Sequence, residues 1–302
     1  MDMNKFLEKY ATSREHTDCE KWDGLRGVFG EDGLLPMWVA DMEFRACEAV
    51  TEALAARVRH GVFGYTFLPD SYYEAVSAWE QRFGYRPERE HIRCASGVVP
   101  AVYWLVNCFT EPGDAVAILT PVYYPFHDCV RDTGRRLVTC DLRYAAGRFE
   151  IDFAAFERSL ADSGAKLFIL CSPHNPAGRV WRADELDRLL GICRRRGVLV
   201  ISDEIHQDFV FGASRHIAAP AVSGGRYADG VILVSAASKS FNLAGLNHAN
   251  IFIPDPGLRA RYDDWHRAVR PGGSSIMGQT FKRRTIVFNR IGRFTYRIRF
   301  PL

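Results

Sequence analysis

The stretch Gly197-Val-Leu-Val-Ile-Ser-Asp203 decides the fold class. It is a short apolar run that ends in a carboxylate. Such a run is typical of a strand that is buried on both faces of a parallel sheet. Similar runs and helix-like segments alternate along the chain, with strands predicted at 115–119, 137–140, 167–170, 198–202, 231–234 and 249–253 and helices at 47–60, 71–83, 98–109, 126–133, 152–160 and 183–195. This alternation predicts a layered α/β domain with a mainly parallel central sheet.

The composition is that of a globular protein and the charge is concentrated at one end. The 302 residues are 47% hydrophobic and 25% charged, which excludes disordered, collagen-like and disulfide-scaffold classes. Residues 281–302 contain seven basic and no acidic side chains, whereas the remaining residues carry 32 basic against 36 acidic ones. The formal net charge of +3 therefore comes from the carboxyl-terminal end alone.

Features that the sequence lacks limit the binding partners and the cellular compartment that we expect for this protein. The body of the chain has no basic stripe or nucleic-acid motif, and no stretch approaches the roughly 20 apolar residues of a membrane span. The eight cysteines include no Cys-x-x-Cys pair, so we expect reduced, buried thiols. We therefore expect a cytoplasmic protein that binds neither nucleic acid nor membrane.

Chemically active residues follow the predicted strands, where active sites of parallel sheets lie. Lys239, after the run 231–234, would be partly desolvated and available as an amine nucleophile or base, although a lone loop lysine is more often simply exposed. Asp203 would need a cation, a metal or a protonated ring to offset the cost of its burial.

Three further features are individually weak. The turn Ser172-Pro-His-Asn-Pro-Ala-Gly178 could fix the Asn175 amide as a hydrogen-bond donor. The helix start at Gly97, Val98 and Val99 offers free backbone amides that suit a phosphate, and Tyr123 could stack on a flat cofactor. As isolated features, these would more often be structural.

A metal site is the alternative for the segment that continues from Asp203. Glu204, His206 and Asp208 would share one face if the strand continued, as metal ligands must. A metal would leave Lys239 without a role. An amine, a buried acid, an amide donor, a phosphate cradle and a stacking aromatic together are what pyridoxal 5′-phosphate (PLP) requires.

The order and wording of these segments resemble fold type I PLP enzymes of the aminotransferase class I/II superfamily, and more narrowly the PatB/MalY-like group of C–S β-lyases. The narrower resemblance rests on six motifs, Met37-Trp-Val-Ala-Asp-Met-Glu-Phe44, Gly61-Val-Phe-Gly-Tyr65, Pro121-Val-Tyr-Tyr-Pro-Phe126, Pro173-His-Asn-Pro-Ala-Gly178, Ser202-Asp-Glu-Ile-His206 and Ser238-Lys-Ser-Phe-Asn-Leu-Ala-Gly-Leu246. It covers residues 22–277 and implies an α/β/α sandwich.

The resemblance implies a role for each candidate residue. Lys239 would bind the cofactor covalently, and Asp203 would pair with its ring nitrogen. Asn175 would hydrogen-bond the ring oxygen and Tyr123 would stack on the ring, while the phosphate would be held by Val98, Val99 and Ser238. Tyr65 would reach the cofactor of a neighbouring subunit, which implies a homodimer. The catalytic residues would be Lys239, Tyr123 and Asp203, with His206 a supporting residue and no metal.

The implied reaction is α,β-elimination from cystathionine or another cysteine S-conjugate to give pyruvate, ammonia and a thiol. An aminotransferase would use the same cofactor residues, and a PLP-binding regulator without activity is the non-enzymatic alternative. A small-molecule amino-acid substrate is common to both enzymatic alternatives.

The carboxyl-terminal end departs from the family pattern. We expect an amino-terminal arm (1–44) belonging to a small domain, a PLP-binding large domain (45–279) and a divergent basic tail (280–302). A truncated or frame-shifted reading frame explains this ending better than an evolved tail, although the alternation at 294–300 permits a short strand. We expect such a chain to keep the cofactor pocket with weak or no lyase activity.

Overall fold

The computed structural model describes residues 2–280 and is built around one large sheet. In this part of the chain the strands are β1 (Ile92–Ala95), β2 (Ala115–Thr120), β3 (Arg136–Asp141), β4 (Arg143–Ala145), β5 (Arg148–Glu150), β6 (Leu167–Cys171), β7 (Leu199–Asp203), β8 (Val231–Ser235) and β9 (Ala249–Phe252). The main sheet has the order β1-β9-β8-β7-β6-β2-β3, and β4 pairs with β5 in a separate hairpin. The predicted tail and its strand lie outside the described residues.

Helices connect and cover these strands. They are α1 (Met3–Tyr10), α2 (Glu20–Asp23), α3 (Leu25–Phe29), α4 (Glu48–His60), α5 (Asp70–Glu80), α6 (Val98–Phe109), α7 (Pro125–Asp132), α8 (Phe153–Ser163), α9 (Ala183–Arg196) and α10 (Pro256–Val269). The six predicted helices are present with ends shifted by at most a few residues. The sequence does not predict the short helices of the arm, α10, strand β1 or the β4–β5 hairpin. None of the helices in residues 2–280 is long and apolar enough to cross a membrane.

The apolar strands are buried because helices cover both faces of the sheet. Along β6, Leu167, Ile169 and Cys171 pack in the core on one face, and Phe168 and Leu170 pack in the core on the other. Side chains of a strand alternate between faces, so a strand covered twice must be apolar at every position. This accounts for the uninterrupted apolar runs and confirms the predicted α/β fold with a mainly parallel sheet.

One predicted strand runs in the opposite direction from the parallel core. Strands β2, β3, β6, β7 and β8 are mutually parallel, whereas β9 is antiparallel to β8 and β1 is antiparallel to β9. A parallel return needs a crossover, usually through a helix. The connection from β8 to β9 contains only the short turn Ala244–Leu246, so the chain returns as an antiparallel neighbour.

The carboxyl ends of β2, β6, β7 and β8 meet at one edge, because these strands are parallel and adjacent. The loops that follow them therefore lie together there. The described part of the amino-terminal arm, residues 2–44, is held together by its own contacts. Ala11 bridges Phe44, and the buried Lys21 amine donates to Glu43 Oε1 at 2.7 Å. The arm also reaches this sheet edge, through hydrogen bonds to the loop after β8.

Candidate active site

Asp203 is the last residue of β7 and lies in the interior with 3% of its surface exposed. One carboxylate oxygen accepts a hydrogen bond from the Ile205 amide at 3.0 Å. Burial raises the pKa of Asp203 from 3.8 to about 7, since a charged carboxylate loses its hydration there. The neighbouring Glu204 raises this pKa further, and Lys239 lowers it. Asp203 is therefore a buried acid whose ionised form needs a cationic partner.

Lys239 lies half-buried in the loop after β8, the strand adjacent to the one that ends in Asp203. Its Nζ donates a hydrogen bond to the backbone oxygen of Ala40 at 2.9 Å. Burial lowers the pKa of Lys239, while the negative charges of Asp41 and Asp203 raise it. A partly desolvated amine next to a buried acid can act as a nucleophile toward a carbonyl or as a base.

Helix α6 begins at the edge of the sheet with amides that no side chain caps. Its preceding residue, Gly97, has no side chain, and Val98 and Val99 are the first helical residues. Amides at this position have no partner within the helix, and the helix dipole adds positive potential. The structure therefore places this twelve-residue helix as the sequence predicted, with amides at its start that could bind an anion. Ser238 directly precedes Lys239 in the loop after β8.

Asn175 and Tyr123 follow β6 and β2, and a buried histidine connects their loops. The backbone N–H of Asn175 donates to Cys171 Sγ at 3.3 Å, and the Tyr123 ring is half-buried. The side chain of His174 is 2% exposed and its Nε2 lies 2.8 Å from the Pro121 backbone oxygen. Burial lowers the pKa of His174, so the neutral ring donates this hydrogen bond. The sequence analysis missed His174, although its position between two prolines was visible.

Tyr65 is the predicted site residue that this chain leaves apart from the others. It lies on a segment between α4 and α5 that also exposes Phe63 and Phe67, and its own side chain is fully exposed. A fully exposed ring packs against nothing within residues 2–280. The structure therefore brings Asp203, Lys239 and the other predicted residues to one edge of the sheet, and leaves Tyr65 facing outward.

The metal alternative is wrong in its geometry. Strand β7 ends at Asp203, and a turn follows in which the Gln207 amide donates to the Glu204 backbone oxygen at 2.9 Å. Glu204 is fully buried, and its carboxylate accepts hydrogen bonds from Ser202, His216 and the Ala219 amide. Asp208 instead pairs with Arg82 and Ser240. Across residues 2–280, no three His, Cys, Asp or Glu side chains converge to form a possible metal site.

The amino-terminal arm contributes backbone to the site, which the sequence analysis did not predict. The carbonyl of Ala40 accepts the hydrogen bond from Lys239, and the Asp41 carboxylate acts on the amine through its charge. Asn242, three residues after Lys239, bonds the backbone of Met42 and Phe44. These partners are about 200 residues apart in the chain, so no local sequence signal could have joined them.

Comparison with known proteins agrees with this arrangement. Residues 40–281 match the model of the family described as aminotransferase class I and II. The chain belongs to this family. Members similar to it include cystathionine beta-lyase PatB of Bacillus subtilis, 44% identical over 247 residues, and protein MalY of Escherichia coli, 34% identical over 263 residues. The alignments cover 82% and 86% of this chain but 64% and 65% of those proteins, so the chain spans about two thirds of their length.

A solved family member shows the same fold. The PLP-bound C–S lyase from Staphylococcus hominis superposes with a TM-score of 0.84 at 31% identity, covering 92% of this chain and 70% of that one. The expected family, with its fold type I architecture and PatB/MalY-like relatives, is thereby confirmed.

Proposed function

We propose that this chain binds PLP at the described sheet edge and takes part in C–S β-elimination from S-substituted cysteines. The observation that carries the proposal is the placement of two groups at one sheet edge: the half-buried amine of Lys239 follows β8, and the buried acid Asp203 ends the adjacent parallel strand β7. The relatives named as cystathionine β-lyases support this reaction over transamination.

The residues at the site fit PLP by the chemistry of their donor groups. When bound, PLP links to an amino group as a Schiff base and its protonated ring accepts electrons from the adjoining carbon. Asp203 would hold the proton at the ring nitrogen, because that cation offsets the cost of its buried charge. The amides of Val98 and Val99, with Ser238, would bind the phosphate. Asn175 would donate to the ring oxygen, and Tyr123 would cover one face of the ring.

Lys239 would perform the proton transfer. Once the substrate amine had displaced it, the Lys239 Nζ would be available as a base, and the lowering of its pKa by burial favours the neutral form. Lys239 would remove the proton from Cα, and the electron pair of that bond would allow the Cβ–S bond to break, with the sulfur leaving as a thiolate. The aminoacrylate that is released hydrolyses in water to pyruvate and ammonia.

Tyr65 and the exposed rings around it support a homodimer as part of the proposal. Phe63, Tyr65 and Phe67 expose 54%, 110% and 85% of their surfaces on one short segment, and exposed apolar clusters mark interfaces. In the dimer, Tyr65 would complete the phosphate site of the neighbouring subunit.

A cytoplasmic location is also part of the proposal. The eight free thiols agree with a reducing compartment and support this location.

The experiment incubates the PLP-loaded protein with L-cystathionine and measures free thiol and pyruvate. We expect at most slow release of both products, in equal amounts, and neither from the K239A variant. Dependence on an added keto acid, with no thiol released, would instead identify an aminotransferase. PLP binding without either reaction would identify a cofactor-binding protein that is not an enzyme.

A further inference from the structure

The side chain of Asn242 joins the loop that carries Lys239 to the amino-terminal arm. Its Oδ1 accepts from the Met42 amide at 3.0 Å, and its Nδ2 donates to the backbone oxygens of Met42 at 2.7 Å and Phe44 at 2.9 Å. Both ends of the amide are used, so the side chain pairs with the arm as a strand backbone would. An asparagine can do this because it carries a donor and an acceptor side by side.

The backbone at Asn242 narrows the choice of residue further. Its φ of +57° lies in the left-handed region, which asparagine, aspartate and glycine tolerate better than other residues. Glycine could adopt this conformation but has no amide to offer the arm. Aspartate could accept from Met42 but could not donate to the two carbonyl oxygens. Asparagine thus satisfies the turn and the three hydrogen bonds together.

Other residues of the arm also hold the segment that Asn242 binds. The Lys21 amine donates to the Asp41 backbone oxygen at 3.0 Å, and Arg14 pairs with the Asp41 carboxylate at 2.5 Å. With Asn242 holding Met42 and Phe44, the backbone just before them is fixed between two sets of contacts. That backbone carries the Ala40 oxygen, which lies 2.9 Å from Lys239 Nζ.

We propose that Asn242 is a positioning residue that holds the Ala40 carbonyl as a fixed acceptor for the free amine of Lys239. The inference rests on the proposed function, in which the amine is released and rebound in every turnover. A neutral amine that donates one N–H to Ala40 keeps its lone pair for the Cα proton. The Ala40 oxygen therefore fixes the position of the released Lys239 amine and leaves the nitrogen lone pair free to accept a proton.

The test compares N242D and N242G with N247G in the full chain prepared without PLP. Asn247 is a matched control, because it has a φ of +51°, lies exposed on the same loop and has no hydrogen bond to the described part of the arm. Two readouts are taken: hydrogen exchange of the peptide containing Met42, and the rate at which acetic anhydride acetylates Lys239, measured by peptide mass spectrometry. Far-UV circular dichroism establishes that each variant is folded. If only one of the two Asn242 variants folds, that variant alone is sufficient for the test.

N242G loses the acceptor for the Met42 amide, and in N242D a carboxylate would face the two carbonyl oxygens and repel them. In both variants we therefore expect the Met42 amide to exchange at least tenfold faster and Lys239 to be acetylated severalfold faster, with N247G like the parent. Unchanged exchange would refute the link between Asn242 and the arm. Faster exchange with unchanged acetylation would refute the role of Ala40 toward the amine. An equal effect in N247G would assign the change to loop flexibility and overturn the proposal. None of these readouts depends on lyase activity, so a failed lyase assay leaves them separately interpretable.

Discussion

Replacing Asp203 with asparagine should remove a pH-dependent cost that the buried acid imposes on the cofactor-free fold. The pKa of Asp203 is raised from 3.8 to about 7 by burial. Between these values the folded state holds a proton that the unfolded state has lost, so the free energy of unfolding falls as pH rises. From pH 5 to pH 8, this linkage amounts to about 3 kcal/mol. Stabilisation by the protonated carboxyl is fully present below about pH 4 and is lost above about pH 7.

The assay is urea unfolding of the PLP-free protein at pH 5 and pH 8, followed by tryptophan fluorescence. We expect D203N to gain about 3 kcal/mol relative to the parent between the two pH values. The matched control D141N changes an exposed aspartate at the end of β3 and should show no such gain. Adding PLP should stabilise the parent at pH 8 and should stabilise D203N much less, because only the parent offers an anion to the ring. An equal effect of D203N at both pH values would refute the assignment of a raised pKa.

Three further predictions follow from other contacts. Burial lowers the pKa of His206 to about 4, so we expect its NMR signals to show no titration between pH 5.5 and 8, and a midpoint near 6.5 would contradict this burial. H216A removes the donor 2.7 Å from the fully buried Glu204 carboxylate and should destabilise the fold by about 3–5 kcal/mol in urea unfolding, whereas H60A at an exposed site should have little effect. Mixing inactive Y65A and K239A subunits should restore up to about a quarter of the parent lyase activity, because one site of the mixed dimer has both residues. No recovery after verified subunit exchange would contradict a shared site.

The parts of the fold that the sequence predicts best are those determined by local pattern. Apolar runs located the strands because a strand covered on both faces has little choice of residue, and the helix beginning at Val98 followed from the glycine before it and the proline within its first turn. The direction of β9 could not be predicted in this way, because apolar burial is the same for parallel and antiparallel neighbours.

In the candidate site, too, the residues that follow a local pattern could be predicted and those that depend on tertiary contacts could not. Asp203 and Lys239 could be located because each follows an apolar run, and strand ends of parallel sheets converge. The alternation of Glu204, His206 and Asp208 is compatible with a continued strand. In the structure, the Glu204 carboxylate instead accepts a hydrogen bond from His216, which lies outside this local pattern. The contacts of Ala40 and Asn242 depend on how the arm docks on the sheet edge, which no periodicity encodes.

The most direct test of the central claim is to determine where PLP becomes attached to the full chain. The protein is incubated with PLP, reduced with borohydride, digested and analysed by mass spectrometry. We predict one phosphopyridoxyl group per chain on Lys239, because this half-buried amine has a lowered pKa and follows the strand adjacent to the one that ends in Asp203. A label spread over other lysines such as Lys5 and Lys166, or no label at Lys239, would contradict the account.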